Sequence, residues 1–171
     1  MRLEGEAWSR YFCDFATSAF RLELRQVYTM PDEEEDLAAF ERSELPPPGY
    51  HYGWLDVVAD AVKAGKTFRR VRLVTRPLSF YTKWEFTWGY DWNVKVGEDI
   101  RILDVTDQPA PELPDHDFWL FDETTVVKLL YREDGTQVGR ELVEHPDLDA
   151  YLTWRDTAWE HGVPYTDYHQ D

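Results

Sequence analysis

The sequence predicts a single α/β domain built around a mixed central sheet flanked by helices, with an α+β arrangement as the alternative. Residues 54–105 alternate between helical and strand periodicity, the signature of a parallel βαβ unit with a right-handed crossover. Residues 117–143 read as short strands joined by tight turns, which demands antiparallel pairing in the same sheet. The chain has 171 residues, 43% of them hydrophobic and 16% aromatic, enough for one substantial core.

Each element follows from a local pattern. Trp8, Tyr11, Phe12 and Phe15 recur at helical spacing, so a short helix is expected over Glu6–Phe15. Over Ser18–Tyr28, Phe20, Leu22 and Leu24 alternate with Arg21, Glu23 and Arg25, the period of a half-buried strand. Pro31 and the acidic run Asp32–Asp36 favour a helix start, and that helix carries Leu37, Phe40 and Leu45 before Pro46-Pro47-Pro48-Gly49 ends it. A tyrosine-rich loop, Gly49–Gly53, leads into a helix at Trp54–Ala64 with Leu55, Val58, Ala59 and Val62 on one face and Gly65 as its cap. Phe68–Thr75 is a β-branched, basic strand. Ser79 can cap a helix to about Trp92, weakened by Gly89, and a strand follows at Ile100–Val105. Strands are expected at Asp117–Phe121, Thr125–Tyr131 and Gln137–Val143, with Asp134-Gly135 as the last turn. His145-Pro146-Asp147 opens a final helix ending before Gly162. The organisation is one domain, with residues 1–49 as an N-terminal subregion and 54–165 as the core.

Charge narrows the function. Lys and Arg number 18 against 34 Asp and Glu, a net charge of −16. Such a surface repels a phosphate backbone, so no direct nucleic-acid binding is expected. Between Lys63 and Arg76 there are six basic residues and no acidic one, a local electrostatic focus in an acidic chain. The lone cysteine, Cys13, cannot form an internal disulfide and reads as a packed thiol among helical aromatics. No apolar leader or stretch of about 20 apolar residues occurs, so a cytoplasmic protein without a membrane segment is expected.

Several segments carry a family resemblance. Arg21-Leu22-Glu23, Tyr28, Arg70-Val71-Arg72-Leu73-Val74, Pro77-Leu78-Ser79-Phe80-Tyr81, Trp84-Glu85, Gly97-Glu98-Asp99-Ile100-Arg101 and Asp117-Phe118-Trp119-Leu120-Phe121-Asp122 occur in order. The set, spanning about residues 17–165, resembles an actinobacterial domain family of unknown function. The resemblance implies a protein encoded beside helix-turn-helix regulators, with no established activity. A weaker resemblance is to a sensor form of the phospholipase D half-domain. Catalysis there needs His-x-Lys-x-x-x-x-Asp, whereas His116-Asp117-Phe118 puts phenylalanine in the lysine position and brings Asp122 one position early. The resemblance therefore implies a shared scaffold with its chemistry lost.

Among candidate sites, Arg70 and Arg72 share a strand face and Arg76 follows the strand's end, where α/β folds place ligands. With Tyr81, Glu85, Arg101 and Asp122 they form a candidate pocket for a small anionic ligand, since guanidinium groups grip phosphate or carboxylate bidentately. The residues leave a second reading open, in which the arginines pair internally with Glu85, Glu98 or Asp122. Asp117 and Asp122 fall on opposite strand faces and make a poor acid–base pair. No histidine pair has zinc-ligand spacing, and no nucleophile elbow, phosphate-binding glycine loop or dinucleotide fingerprint occurs, so no catalytic residue, metal or cofactor is assigned. Tyr81, Trp84 and Trp88 share one helical stripe; Phe86, Tyr90 and Trp92 lie off it and are candidates for a partner surface. The leading expectation is a non-catalytic regulatory or interaction module that docks on a protein, in the first place a DNA-binding regulator. A small anionic-ligand sensor is the alternative, and a phosphodiesterase-like hydrolase a third reading.

Overall fold

A computed structural model describes residues 1–169. Seven strands form one mixed sheet in the order β6-β5-β4-β1-β2-β3-β7, where β1 is Ser18–Glu23, β2 Thr67–Val74, β3 Asp99–Asp104, β4 Asp117–Phe121, β5 Thr125–Tyr131, β6 Gln137–Leu142 and β7 Val163–Pro164. β1, β2 and β3 run parallel, and every other pairing is antiparallel. The result is a single α/β domain with a mixed central sheet. The strand of the N-terminal third, β1, lies at its centre.

Among the described residues the α-helices are α1 (Gly5–Asp14), α2 (Glu34–Glu41), α3 (Gly53–Lys63), α4 (Phe80–Glu85), α5 (Asp91–Lys95) and α6 (Leu148–His161). Two parallel steps, β1 to β2 and β2 to β3, move in one direction across the sheet. Right-handed crossovers then put α3 and the α4–α5 helix on one face, and α1 joins them there. α6 covers the other face, packing Tyr151 and Ala158 against Phe20, Leu22, Val71, Leu103, Phe118 and Leu120. Among the described residues no helix is long and apolar enough to cross a membrane.

Strand periodicity assigns the side chains. Even-numbered Phe20 and Leu22 of β1 face α6, so Arg21 and Glu23 face α4. The half-buried strand expected from the alternation would turn those two toward water, and the structure corrects it: Arg21 and Glu23 are only 5% and 4% exposed. β1 is central and covered on both faces, so alternation here separates an apolar layer from a buried polar one. The strand also stops at Glu23, short of Tyr28, and the acidic helix ends at Glu41, leaving Leu45 75% exposed. In α3, Ala61 rather than Val62 is buried. Cys13 is exposed on α1, turned away from the Trp8, Tyr11 and Phe12 stripe that packs on the sheet. The two-residue strand β7 carries too little pattern to be read in advance.

The α4–α5 helix begins where expected, with the Ser79 hydroxyl accepting from the Thr82 N–H at 3.1 Å. Residues Phe86–Tyr90 between α4 and α5 form a π-turn, and its extra residue rotates the helix. Tyr81, Trp84 and Trp88 meet Tyr28 on one side, while Phe86 and Tyr90 meet Ile100 and Ile102 on another. Phe86 and Tyr90 are therefore core, not partner surface. Trp92 is half-buried with the Lys95 ammonium 4.4 Å over its ring. At the β5–β6 turn, Gly135 has φ +87 and a Cβ there would sit 2.6 Å from the Val27 carbonyl, so only glycine fits.

Asp122, with φ +51 after β4, ties the start of β1 in place. Its carboxylate accepts the N–H groups of Ala16, Thr17 and Ser18 at 2.7, 2.7 and 3.1 Å, and the Thr17 hydroxyl at 3.0 Å. Burial opposes the charge, but these donors outweigh it and hold the carboxyl below its usual range. Asp122→Ala is expected to cost about 2 kcal/mol in urea unfolding at neutral pH, from charge-assisted hydrogen bonds removed. A variant as stable as the parent would show that the cap contributes nothing.

Candidate functional site

The polar layer between the sheet and the α4–α5 helix is organised by register. Arg21 lies beside Arg70, and Glu23 beside Arg72. Glu23 answers both arginines of β2: its Oε1 accepts from Arg70 Nη1 at 2.6 Å and its Oε2 from Arg72 Nη1 at 3.3 Å. Arg70 Nε reaches Glu98 at 2.7 Å, and Glu98 also accepts from Trp54 Nε1 and Asn93. Arg72, fully buried, has its Nη2 3.0 Å from the Glu85 carboxylate and donates to Thr82 at 3.1 Å. Arg21 donates to Asp117 at 3.2 Å and to the Tyr131 hydroxyl at 3.1 Å. Asp117 in turn accepts the Leu24 N–H and the Tyr28 hydroxyl.

Of the seven residues predicted to form an anion pocket, Arg70, Arg72, Tyr81 and Glu85 come together and three do not. Arg101 is in register with Val71, so it points to the α6 face, donating to the Trp159 carbonyl at 2.8 Å with its guanidinium 4.2 Å over that ring. Arg76 lies beyond β2 on the surface, paired with Asp104 and Asp107 at 2.8 and 2.7 Å. Asp122 caps the start of β1. Glu85 and Glu98 do pair with the arginines, and Asp122 does not. Sequence reasoning missed Glu23, the central acceptor. Its signal was the charge alternation of Arg21-Leu22-Glu23 matching that of Arg70-Val71-Arg72, legible only once the two strands are neighbours.

Beside this layer lies a cavity of about 460 Å³, bounded by the acidic turn before α2, the tyrosine loop before α3 and the π-turn. Asp32, Glu33 and Asp36 form one wall, Tyr50, Tyr52 and Trp54 another, and Trp84, Glu85, Trp88 and Gly89 the third, with Arg70 at the floor. Tyr52 donates to the Gly89 carbonyl at 3.0 Å and to Asn93, fastening the loop to the π-turn. The indole N–H groups of Trp84 and Trp88 are buried with no hydrogen-bond partner. A smaller cavity of about 200 Å³ shares Glu33, Arg70 and Glu85 and continues towards Arg21, Tyr131 and Arg140. Among the described residues no three His, Cys, Asp or Glu side chains are grouped to hold a metal ion.

Charge counting gives the electrostatics. Three buried guanidinium groups (Arg21, Arg70, Arg72) meet four carboxyl groups (Glu23, Glu85, Glu98, Asp117). Burial opposes the charge on Glu23, but Arg70 and Arg72 overcome it and bring the group down to about 2. Glu85 is the surplus acid. Burial, helped by Glu23 nearby, pushes it up to about 8 in spite of Arg72. Glu33 is pushed up to about 7, again by burial first, although the Tyr81 hydroxyl donates to it at 2.7 Å. A carboxyl whose folded value lies above its unfolded one stabilises the fold fully below the unfolded value, and that stability is lost as pH rises through the folded value. The melting temperature should therefore fall between about pH 5 and pH 8.5, and Glu85→Gln, a mimic of the protonated acid, should flatten most of that fall. A parent protein whose melting temperature is constant or rising over this interval would refute the assignment.

Cys13 is exposed on α1, and His116 is bonded to Tyr151 at 3.0 Å on the α6 face, so neither lines the cavity. Comparison with curated proteins found no match. The family described as "Domain of unknown function (DUF6879)" matches residues 6–170, a span that takes in α1 but for its first residue, the buried charge layer, all seven strands and every wall of the cavity. On that match over almost its whole length, the chain belongs to the DUF6879 family.

Proposed function

We propose that the protein is a non-catalytic binding module that takes a small organic molecule into the larger cavity and communicates its occupancy to a protein partner. The observation that carries this reading is the cavity itself, about 460 Å³ and of ligand size, bounded by the acidic turn, the tyrosine loop and the π-turn. The layer beneath supports binding over catalysis, because Arg70 and Arg72 are locked in pairs with Glu23, Glu85 and Glu98. Those pairs also occupy the guanidinium groups that an anionic-ligand sensor would use.

The partner proposed is a DNA-binding regulator of the helix-turn-helix type, as the family resemblance implies. A surface feature favours docking on a basic protein. Phe80, 49% exposed, packs on Phe40 of α2 at 5.2 Å between centroids, beside the acidic run Asp32–Asp36. That same run forms a cavity wall, so one segment serves both the ligand and the partner. Electrostatic complementarity would then speed association and select the partner. Descent from a phospholipase D-like scaffold is a further part of the proposal, with phosphodiester hydrolysis its least supported variant.

Gly53 lies at the cavity rim, where a side chain would project into open space and the backbone has no positive φ, so Gly53→Leu should fill the mouth without strain. Dialysed against a small-molecule cell extract, the parent protein should deplete at least one compound that Gly53→Leu leaves in solution. Identical depletion profiles would remove the ligand-binding reading. In calorimetry at low salt, Phe80→Ser should weaken binding to the adjacent-encoded regulator severalfold with no loss of melting temperature. No binding by the parent protein would remove the partner.

A further inference from the structure

We propose that the smaller cavity binds the anionic head, carboxylate or phosphate, of a small organic molecule, with Arg140 as its counter-ion. The site stands apart from the larger cavity and does not rest on the ligand proposed there. Strand register sets its position. Arg140 of β6 lies opposite Leu129 of β5, which lies opposite Asp117 of β4, so Arg140 shares the sheet face of the buried charge layer at its outer end. Its guanidinium there sits 5.2 Å over the Trp8 ring of α1, a contact that orients the fork without using its donors. Arg140 is half-buried, and among the described residues no carboxylate comes within ion-pair distance of it and no acceptor takes its guanidinium N–H groups. Glu4 acts on it only from farther away, and burial, with the like charge of Arg21, holds its ionisation below the ordinary guanidinium value.

The side chains beside Arg140 also lack an acceptor. The Tyr131 hydroxyl accepts from Arg21 Nη2 and from Gln137 Nε2, both at 3.1 Å, and neither nitrogen can accept in return. The Tyr131 proton is therefore unmet; turning the Gln137 amide over would supply its acceptor and strand the amide N–H groups instead. Tyr131, Gln137 and Arg140 all line the smaller cavity and none is fully buried, so this end offers unmet donors beside an uncompensated positive charge. The other charges of the lining are already answered. Arg21 pairs with Asp117, Arg70 with Glu23 and Glu98, and Glu23 also with Arg72. Glu33 and Glu85 lie between the two cavities, where Tyr81 donates to the first and Arg72 faces the second at 3.0 Å. An anion at Arg140 would gain a charge-assisted fork and a hydroxyl or amide donor, whereas an amine would meet like charge. Trp8, Trp119 and Leu129 line the same cavity of about 200 Å³ and suit a compact apolar body behind the charged head.

The test is an NMR titration of the isotope-labelled full chain, with the Trp8 indole signal reporting position. Benzoate and phenyl phosphate carry the two anionic heads on one ring, benzamide replaces the charge by a neutral amide, and benzylamine reverses it. At least one of the two anions should shift the Trp8 signal with a Kd of about 1 mM, and the tighter of them identifies the head group. Benzamide and benzylamine should bind at least about tenfold more weakly. Arg140→Gln, which breaks no ion pair, should melt with the parent and weaken the anion about tenfold. Lys63→Gln, which removes an exposed charge outside both cavities, and Gly53→Leu, which alters only the larger one, should bind the anion as the parent does. No shift with either anion, equal binding of benzoate, phenyl phosphate and benzamide, or unchanged binding by Arg140→Gln would overturn the inference. So would loss of anion binding in Gly53→Leu, which would place the anion in the larger cavity. Extract depletion that differs between parent and Gly53→Leu, with no anion bound at Arg140, would sink this site and leave the ligand of the larger cavity standing.

Discussion

Glu23 accepts hydrogen bonds from Arg70 and Arg72, two arginines one pleat apart on the neighbouring parallel strand, and the arrangement of the whole domain turns on that contact. It sits in the middle of a seven-stranded sheet under a helix, away from water. Buried ion pairs of this kind contribute little net stability compared with an apolar core, since desolvation offsets most of the attraction. Their effect is on uniqueness. A one-residue slip of β1 would swing Arg21 and Glu23 into the apolar layer beneath α6 and take from Arg70 and Arg72 the one acceptor they share. Breaking a buried pair costs about 3–5 kcal/mol, so two or three broken together exceed much of what holds a domain of this size folded.

The π-turn at Phe86–Tyr90 follows from the same constraint. A regular helix would present Tyr81, Trp84 and Trp88 on one stripe and leave Phe86 and Tyr90 partly in water. The inserted residue turns the second pair inward over Ile100 and Ile102, where the Tyr90 hydroxyl points to Glu23 at 3.4 Å. The same distortion brings the Gly89 carbonyl within reach of Tyr52 and opens the cavity between helix and loop. π-turns recur at functional sites for this reason: they trade helix regularity for an unusual placement of side chains.

The basic segment illustrates how charge on a sequence differs from charge in a fold. Its arginines are dispersed to three places: the buried layer, the Asp104–Asp107 surface and, by way of Arg69, the ring of Trp159 on the α6 face. The acidic turn Asp32–Asp36, a stretch that reads as an ordinary solvated helix start, has by contrast no lysine or arginine within ion-pair distance among the described residues and forms a cavity wall. Net charge is a property of composition, whereas a site's sign depends on which charges remain unpaired after folding.

The fold class, the helices and six of the seven strands were legible from local pattern, because helix and strand periods, caps and turn residues act within a few residues of chain. Ser79 as a cap, Asp134-Gly135 as a turn and the parallel order of β2 and β3 are of this kind. Glu23 as the central acceptor, Arg101 on the far face, Phe86 and Tyr90 in the core and the cavity at Tyr50, Tyr52 and Trp88 were decided by the tertiary structure alone. Each depends on which strand lies beside which, on a register between residues about 50 apart, or on a loop packing against a distorted helix. Such relations are fixed by burial and pairing across the sheet, and no window of neighbouring residues contains them.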